Sequence, residues 1–354
     1  MNTPSGLNRR AVCFALCLAV IAAAAVIPAN AASYKAVVLT ADQTGMGTFT
    51  DVNLQNAWGI SYSPSGDFWV SDNNSGLSTL YIGSGAPQSL VVTIPPAAGG
   101  TKGSPTGTVY NASADFVVGG LPSVFLFVTE DGTISGWTGA GTNAQIGVDN
   151  STSQANYKGM EIANNGTGNF LYVANFHAGT IDVFNKTFTK TALAGSFHDS
   201  GIPTGYAPFN IRNIGGIMYV LYAKQNAAKT DATFCAGCGY VDEFDLNGNF
   251  LKRLITKGSL NAPWGIVVAP SNFGTFSSDL IVGNLGDGKI NAFNPTTGAL
   301  LGPLKTSAGK VIAINGLWDL KYGNGGSGGK TTELFYTSGP SGYVHGHFGK
   351  ITAQ

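Results

Sequence analysis

Charge is scarce in this sequence. Its 354 residues carry 19 basic and 19 acidic side chains, a charged share of 11 % where ordinary globular chains have about 25 %. That scarcity excludes coiled coils, helical repeats rich in Glu and Lys, and charged disordered tails. The formal net charge is zero, which excludes the basic footprint of a nucleic-acid binder. Cysteine is scarce too, with four residues. Several catalytic signatures are missing: no G-x-S-x-G, no H-E-x-x-H, no P-loop, and no G-x-G-x-x-G opening a helix. Glycine is abundant, 50 residues, but has no G-X-Y period, which excludes collagen. With 44 % hydrophobic residues the chain has material for a large core. Abundant Gly, Thr, Asn and aromatics predict many short strands joined by tight turns.

The N-terminus reads as a targeting segment. Arg9 and Arg10 supply a positive region, residues 11–27 form an uncharged apolar run, Pro28 breaks it, and Ala29-Asn30-Ala31 is an A-x-A cleavage site. The expected outcome is a secretory signal cleaved after Ala31, leaving no membrane span. The residues flanking the Arg pair fit twin-arginine export poorly, so the general route is expected. Localisation is then secreted or periplasmic, and residues 32–354 form a single domain. Cys13 and Cys17 leave with the peptide. Cys235 and Cys238 remain as C-A-G-C, lying between strand-like runs without the helix a redox pair normally opens and without two further zinc ligands nearby. In a secreted chain the pair is expected to oxidise to a small local disulfide loop.

One phrase recurs six times along the remainder. An aromatic-Gly-apolar opening leads to an alternating strand, a polar Asn/Asp/Gly turn and a second alternating strand. The fifth copy is the clearest: Pro263-Trp264-Gly265-Ile266, then Leu280-Ile281-Val282, then Asn284-Leu285-Gly286-Asp287-Gly288. Taking Trp58, Thr106, Lys158, Phe209, Trp264 and Trp318 as equivalent, the copies are 48 to 55 residues apart. Period-2 alternation within units of that length matches blades of a β-propeller. The predicted fold is all-β, a six-bladed β-propeller with its ring closed by pairing of the N-terminal strand beside the C-terminal one in the sixth blade. Trp58, Trp264 and Trp318 are expected to fill the seams between blades.

These phrases resemble a family of secreted, NHL-repeat-like propeller proteins, mostly bacterial and without an assigned activity. The resemblance covers nearly all of residues 32–354. It rests on Asn56-Ala57-Trp58-Gly59-Ile60, on residues 129–137 and 174–184, on Gly205-Tyr206-Ala207-Pro208-Phe209-Asn210-Ile211, on Tyr222-Ala223-Lys224-Gln225, and on Asn261-Ala262-Pro263-Trp264-Gly265. Where the family is Gly-rich ahead of its valine-aspartate strand, this chain has the Cys235–Cys238 pair. The resemblance implies a propeller and an export route, and no substrate.

In a propeller the turn between the second and third strands shares a face with the loop leading into the first, and function gathers on such loops. The candidate face therefore holds Asp72, Asn73, Glu130, Asp131, Asn175, His177, Lys224, Gln225, Asn284 and Asp287 from the turns. Asn56, Asn156, Asn261 and Asn315 come from the lead-in loops. Each of these side chains alone is an ordinary turn or capping residue. As a ring they would surround one polar funnel.

Three sharper chemistries are open. Calcium is the one cofactor candidate, since carboxylate and amide oxygens suit a hard cation. Glu130 and Asn175 with Asn284 or Asp287 could imitate the Glu, Asn and Asp set of propeller lactonases of the gluconolactonase and paraoxonase kind. His177 could act as acid or base with Glu130 or Asp72 orienting it. His345 and His347 could hold a transition metal, with no third ligand in view. The reading that results is an extracytoplasmic binding or interaction module, monomeric, presenting its polar mouth to a small molecule, a carbohydrate or a protein. The alternative is a calcium-assisted hydrolase or lyase, and neither nucleic acid nor membrane is an expected partner.

Overall fold

A computed structural model describes Met1 and residues 33–354 of the chain. The expected export signal lies outside the described residues, as do Cys13 and Cys17. From residue 33 onward the chain is built almost wholly of short β-strands. Among the described residues no helix is long and apolar enough to cross a membrane.

Six sheets, antiparallel except for a short parallel strand at Phe49–Thr50, are arranged as a β-propeller, and a seventh of two short strands, Val117–Val118 and Leu121–Pro122, stands apart from the blades. Blade one contains Ala57–Ser61, Phe68–Asp72, Leu77–Tyr81 and Pro87–Thr93. Blade two contains Pro105–Tyr110, Phe125–Thr129, Thr133–Trp137 and Gln145–Asp149. Blade three has three strands, Tyr157–Asn164, Asn169–Asn175 and Thr180–Asn185. Blades four and five begin at Tyr206–Ile214 and Pro263–Val268. Blade six contains Leu317–Tyr322, Leu334–Ser338 and His347–Ala353, and its fourth strand is Tyr34–Ala41 from the other end of the chain. Tyr34 pairs Ala353 and Ala41 pairs His347 across that junction, so the ring closes as the sequence predicts and the last strand is not left as an open edge.

Blade three lacks an outer strand because its sequence is used elsewhere. The segment after Asn185 makes one bridge, Phe184 to Lys190, and then crosses to blade four. There the amides of Gly195 and Phe197 donate to the carbonyls of Asn247 and Gly248, and the Phe197 ring packs against Phe244 at 5.3 Å.

Each seam between blades is an apolar layer. Trp69, Phe125, Phe127 and Trp137 fill the seam of blades one and two. Leu171, Val173 and Phe184 pack against Val109, Leu126 and Val128 between two and three. Ile281, Ile290, Leu320 and Ile351 lie between five and six. The seams are thus lined mainly by strand-alternating aliphatics and Phe, which fit a pleated surface.

Trp58, Trp264 and Trp318 are not in those seams, and this corrects the sequence reading. They gather in one cluster with Phe209 and Phe176. Trp58 stacks on Trp318 with ring centres 3.5 Å apart, and Trp264 meets both edge-on at 6.3 and 5.9 Å. The cause is a bulge. In all six innermost strands the register slips at the repeated position, between Ala57 and Ile60 and between Leu317 and Leu320, for example. A bulge re-aims its side chain, and here it turns six equivalent residues towards the propeller axis. The glycine that follows lets neighbouring inner strands approach. A Cβ on Gly107 would lie 2.8 Å from the Met160 nitrogen and 2.9 Å from the Lys158 carbonyl oxygen.

Candidate functional site

In every blade the residue after the second strand donates its amide to the carbonyl of the residue leading into the first. The pairs are Asn73–Asn56, Glu130–Ser104, Phe176–Asn156, Gln225–Gly205, Leu285–Ala262 and Gly339–Gly316. This repeated bond holds the turn and the lead-in loop at the same end of each blade, which is the mouth of the axis.

Four of the expected residues or their partners meet in one cavity at the mouth. Glu130, Asp131, Asn156 and His177 line a space of about 460 Å³ together with Ser151, Gln154, Ala155, Ala228 and Thr230. The Asp131 carboxylate accepts from the Ser104 amide at 3.1 Å, and burial raises its pKa above the usual carboxylate value. Asn156 Nδ2 donates to the Glu130 carbonyl at 3.1 Å, while its Oδ1 is buried without a partner. Gln225 Nε2 donates to the Phe176 carbonyl at 2.5 Å, tying the long loop after blade four's second strand to the turn that carries His177.

A buried cation lies beneath this cavity. The Lys158 side chain is 0 % exposed and its Nζ pairs with Glu130 Oε1. Asn73 Nδ2 donates to the other Glu130 oxygen at 3.0 Å. The ammonium sits 5.0 Å from the Trp58 ring centre and 5.9 Å from that of Phe176, a cation–π environment. Asp231, in the long loop, has its pKa raised by burial, and the nearby Lys158 charge offsets part of that rise. The loop also brings Ala232 onto the axial aromatic cluster, and Tyr343 approaches the same cluster from blade six.

Other expected residues serve their own turns. Asp72 is fully buried, its Oδ2 accepts from the Thr79 hydroxyl at 2.8 Å, and burial puts its pKa well above the usual value. Asn175 accepts from the amides of Asn156 and Ala178 and donates to Asp182 at 3.0 Å. Asn284 accepts from the Asn261 amide at 3.1 Å and donates to the Ser259 carbonyl and to Asp287. Asp287 also pairs with Lys289 at 3.1 Å. Lys224 ends its strand on the exposed surface. Cys235 and Cys238 are joined by a disulfide with Cα atoms 5.3 Å apart, and the Cys235 amide donates to Asn261 Oδ1.

The arrangement differs from two expectations of the sequence. Neither Glu130 nor Asp72 bonds His177: Lys158 and Asn73 take the two oxygens of the first, and the second is fully buried, with Thr79 on Oδ2 and no partner on Oδ1. Glu130 is taken up by Lys158 of blade three and Asn73 of blade one, Asn175 and Asn284 are engaged in their own blades, and among the described residues no group of three or more His, Cys, Asp and Glu side chains is placed to hold a metal ion. His345 instead bonds Asp42 through Nδ1 at 2.8 Å, and burial lowers the His347 pKa.

Sequence reasoning missed Lys158 and Asp231 as members of this site. The signal for Lys158 was present: five copies of the repeat place Trp, Thr or Phe at that position, and the third places a cation. Asp231 lies in a non-repeating loop, so nothing in the pattern marks it.

Fold and mouth together define a six-bladed β-propeller. Solved structures of that likeness include a streptogramin B lyase (TM-score 0.53, 11 % identity, 92 % of this chain and 98 % of the other). A virginiamycin B lyase from Staphylococcus aureus (0.54, 9 %, 90 % and 99 %) and a soluble aldose sugar dehydrogenase from Escherichia coli (0.54, 11 %, 91 % and 100 %) are also similar. At such identities the likeness is one of fold alone. No family model matches the chain. It belongs to the family that includes the uncharacterized proteins R648 and L690 of Acanthamoeba polyphaga mimivirus. It is 31 % identical to the first over 303 residues, 80 % of this chain and 72 % of the relative, and 32 % identical to the second over 305 residues, 81 % and 78 %. Both relatives are viral proteins, so the likeness gives no support to the bacterial occurrence or the export implied by the resemblance.

Proposed function

We propose that the chain is an exported, monomeric binding module that holds a carbohydrate at the mouth of its propeller. The observation that carries this reading is the cavity of about 460 Å³ lined by Glu130, Asp131, Asn156 and His177. Its walls mix carboxylate acceptors with amide and hydroxyl groups from Gln154, Asn156, Ser151 and Thr230. Such a mixture suits a ligand whose hydroxyls both donate and accept. The volume lies within the usual range for small-ligand sites, about 300–1,000 Å³. The buried Lys158–Glu130 pair supports it by fixing one carboxylate of the wall in place.

A glycan array probed with residues 32–354, followed by calorimetry on the best binder, tests the proposal. Asp131→Asn and His177→Ala are expected to weaken binding at least tenfold, about 1.4 kcal/mol, while leaving the thermal midpoint nearly unchanged. Absence of any glycan binding, or binding indifferent to both substitutions, would overturn it. Calcium-dependent turnover of a lactone or glycoside panel would replace it with the hydrolase or lyase reading. Export is supported by the charged, apolar and A-x-A order of residues 1–31. Mass analysis of the protein from its natural source is expected to find Ala32 as the first residue, and a chain retained in the cell with residues 1–31 intact would refute export.

A further inference from the structure

The axis has a second end. Each innermost strand runs from the mouth to the opposite rim. There Ser61 and Tyr62 of blade one, Thr108 and Tyr110 of blade two, Glu161 of blade three, Arg212 of blade four and Lys321 of blade six line a separate cavity of about 170 Å³. The aromatic cluster of Trp58, Phe209, Trp264 and Trp318 occupies the axis above it.

The carboxylates at this end are already served. Asp319 accepts two bonds from Arg212 Nη2, at 2.8 and 2.9 Å, and further bonds from the amides of Ile60 and Leu320. Glu161 accepts from the amides of Ile162 and Asn213, each at 3.0 Å. The cationic donors are served only in part, since Arg212 reaches Asp319 through Nη2 alone. Arg212 is buried and its Nε has no hydrogen-bond partner. The Lys321 ammonium lies 4.7 Å from the centre of the Tyr62 ring and forms no ion pair with either carboxylate. Lys321 is half-buried; burial first, and then the Arg212 charge, push its pKa down to about 8, with the Glu161 and Asp319 charges opposing part of the fall. Ser61 and Thr108 bond each other at 3.0 Å.

The buried Arg212 Nε is thus left without an acceptor beside a small cavity that the half-buried Lys321 also lines, and an uncompensated buried donor is costly. A guest carrying acceptor oxygens would satisfy that donor and pair the Lys321 charge. Its size is limited, since about 170 Å³ corresponds to roughly six waters at ~30 Å³ each. Its charge is limited as well. Arg212 and Lys321 against Asp319 and Glu161 sum formally to zero, so a monoanion is tolerated far better than a dianion.

We propose that this end of the axis is a second binding site, for a small monocarboxylate, with Lys321 and Arg212 as its cationic donors. The site is independent of the mouth and of what binds there.

Acetate is the probe, with chloride at matched ionic strength as control. Acetate is expected to raise the thermal midpoint of residues 32–354 by a few degrees beyond chloride. In calorimetry, Lys321→Met is expected to weaken acetate binding at least tenfold, and Lys321→Arg to restore it to within about threefold. Far-ultraviolet circular dichroism establishes that both variants fold. His177→Ala at the mouth is expected to leave acetate binding intact, which separates this site from the carbohydrate reading. Acetate no better than chloride on the unaltered chain, equal binding by Lys321→Met, or binding of inorganic phosphate in preference to acetate would each overturn the proposal.

Discussion

At the scale of single residues, Lys158 decides the character of the mouth. A fully buried ammonium is tolerated because Glu130 pairs with it, Asp231 lies near and two aromatic rings face it. Charge burial of this kind is costly to undo from one side, because the remaining partners are left buried and uncompensated. Lys158→Met is expected to destabilise the protein by about 3 kcal/mol in urea unfolding. The sign of its pH dependence follows from the acids left behind. Without the cation, Asp231, already raised by burial, rises further. An acid whose folded pKa exceeds its unfolded value loses stability as pH rises above the unfolded value. The loss is therefore expected to be larger near pH 8 than near pH 5, and equal losses at both would show that Lys158 acts by packing alone. The position was legible as the one charged exception in a six-fold pattern. Its partners were not, because Glu130 read as part of an ordinary turn and Asp231 sits in a loop with no counterpart elsewhere in the chain.

At the scale of elements, the innermost strand is where local sequence and ring geometry meet. Its bulge turns one side chain onto the axis, and the next residue faces the neighbouring blade at close range. At Gly107 that neighbour is backbone, the nitrogen of Met160 and the carbonyl oxygen of Lys158, which cannot swing aside as a side chain can. Gly107→Ala is expected to cost about 2–3 kcal/mol. Gly99, with φ of +84° and nothing within 4 Å of an added Cβ, is the control. There alanine is expected to cost only the strain of the left-handed backbone, about 1–2 kcal/mol. Similar losses at the two sites in chemical denaturation would remove close approach as the reason for the repeated glycine. The strands themselves were readable from alternation. Two element-level features were not. The tryptophans were assigned to seams because a large flat ring fits one, and only the bulge sends them to the axis. Blade three was not readable as short of a strand, because residues 186–205 are polar and turn-rich, and their destination on blade four depends on Phe197 finding Phe244.

At the scale of the whole molecule, stability depends on closure. Six apolar seams and one axial cluster form a ring, and blade six is completed by Tyr34–Ala41 from the beginning of the described chain. Removing residues 33–41 takes away the only partner on one side of His347–Ala353 and exposes its edge. The truncated chain is expected to melt at least ~10 °C lower and to form oligomers on gel filtration through that edge. A truncated chain as stable and monomeric as the whole would mean that the ring is held by seam packing without its closing strand.

The sequence by itself determined the class of fold, the number of blades and the way the ring closes. These follow from period-2 alternation and from a recurring phrase, both local properties that each stretch of chain carries without help. It also determined which turns share a face, because connectivity within a blade leaves one arrangement. The tertiary structure alone decided which residues on that face meet. Glu130, Asp131 and His177 come together, whereas Asp72, Asn175 and Asn284 cap their own turns, and a side chain's choice between its own backbone and a distant partner depends on which is nearer once the blades are packed. It alone placed Lys158 beneath the mouth and left Arg212 and Lys321 at the opposite rim. A residue's position along the axis is set by how six separate strands converge, which no single stretch of sequence contains.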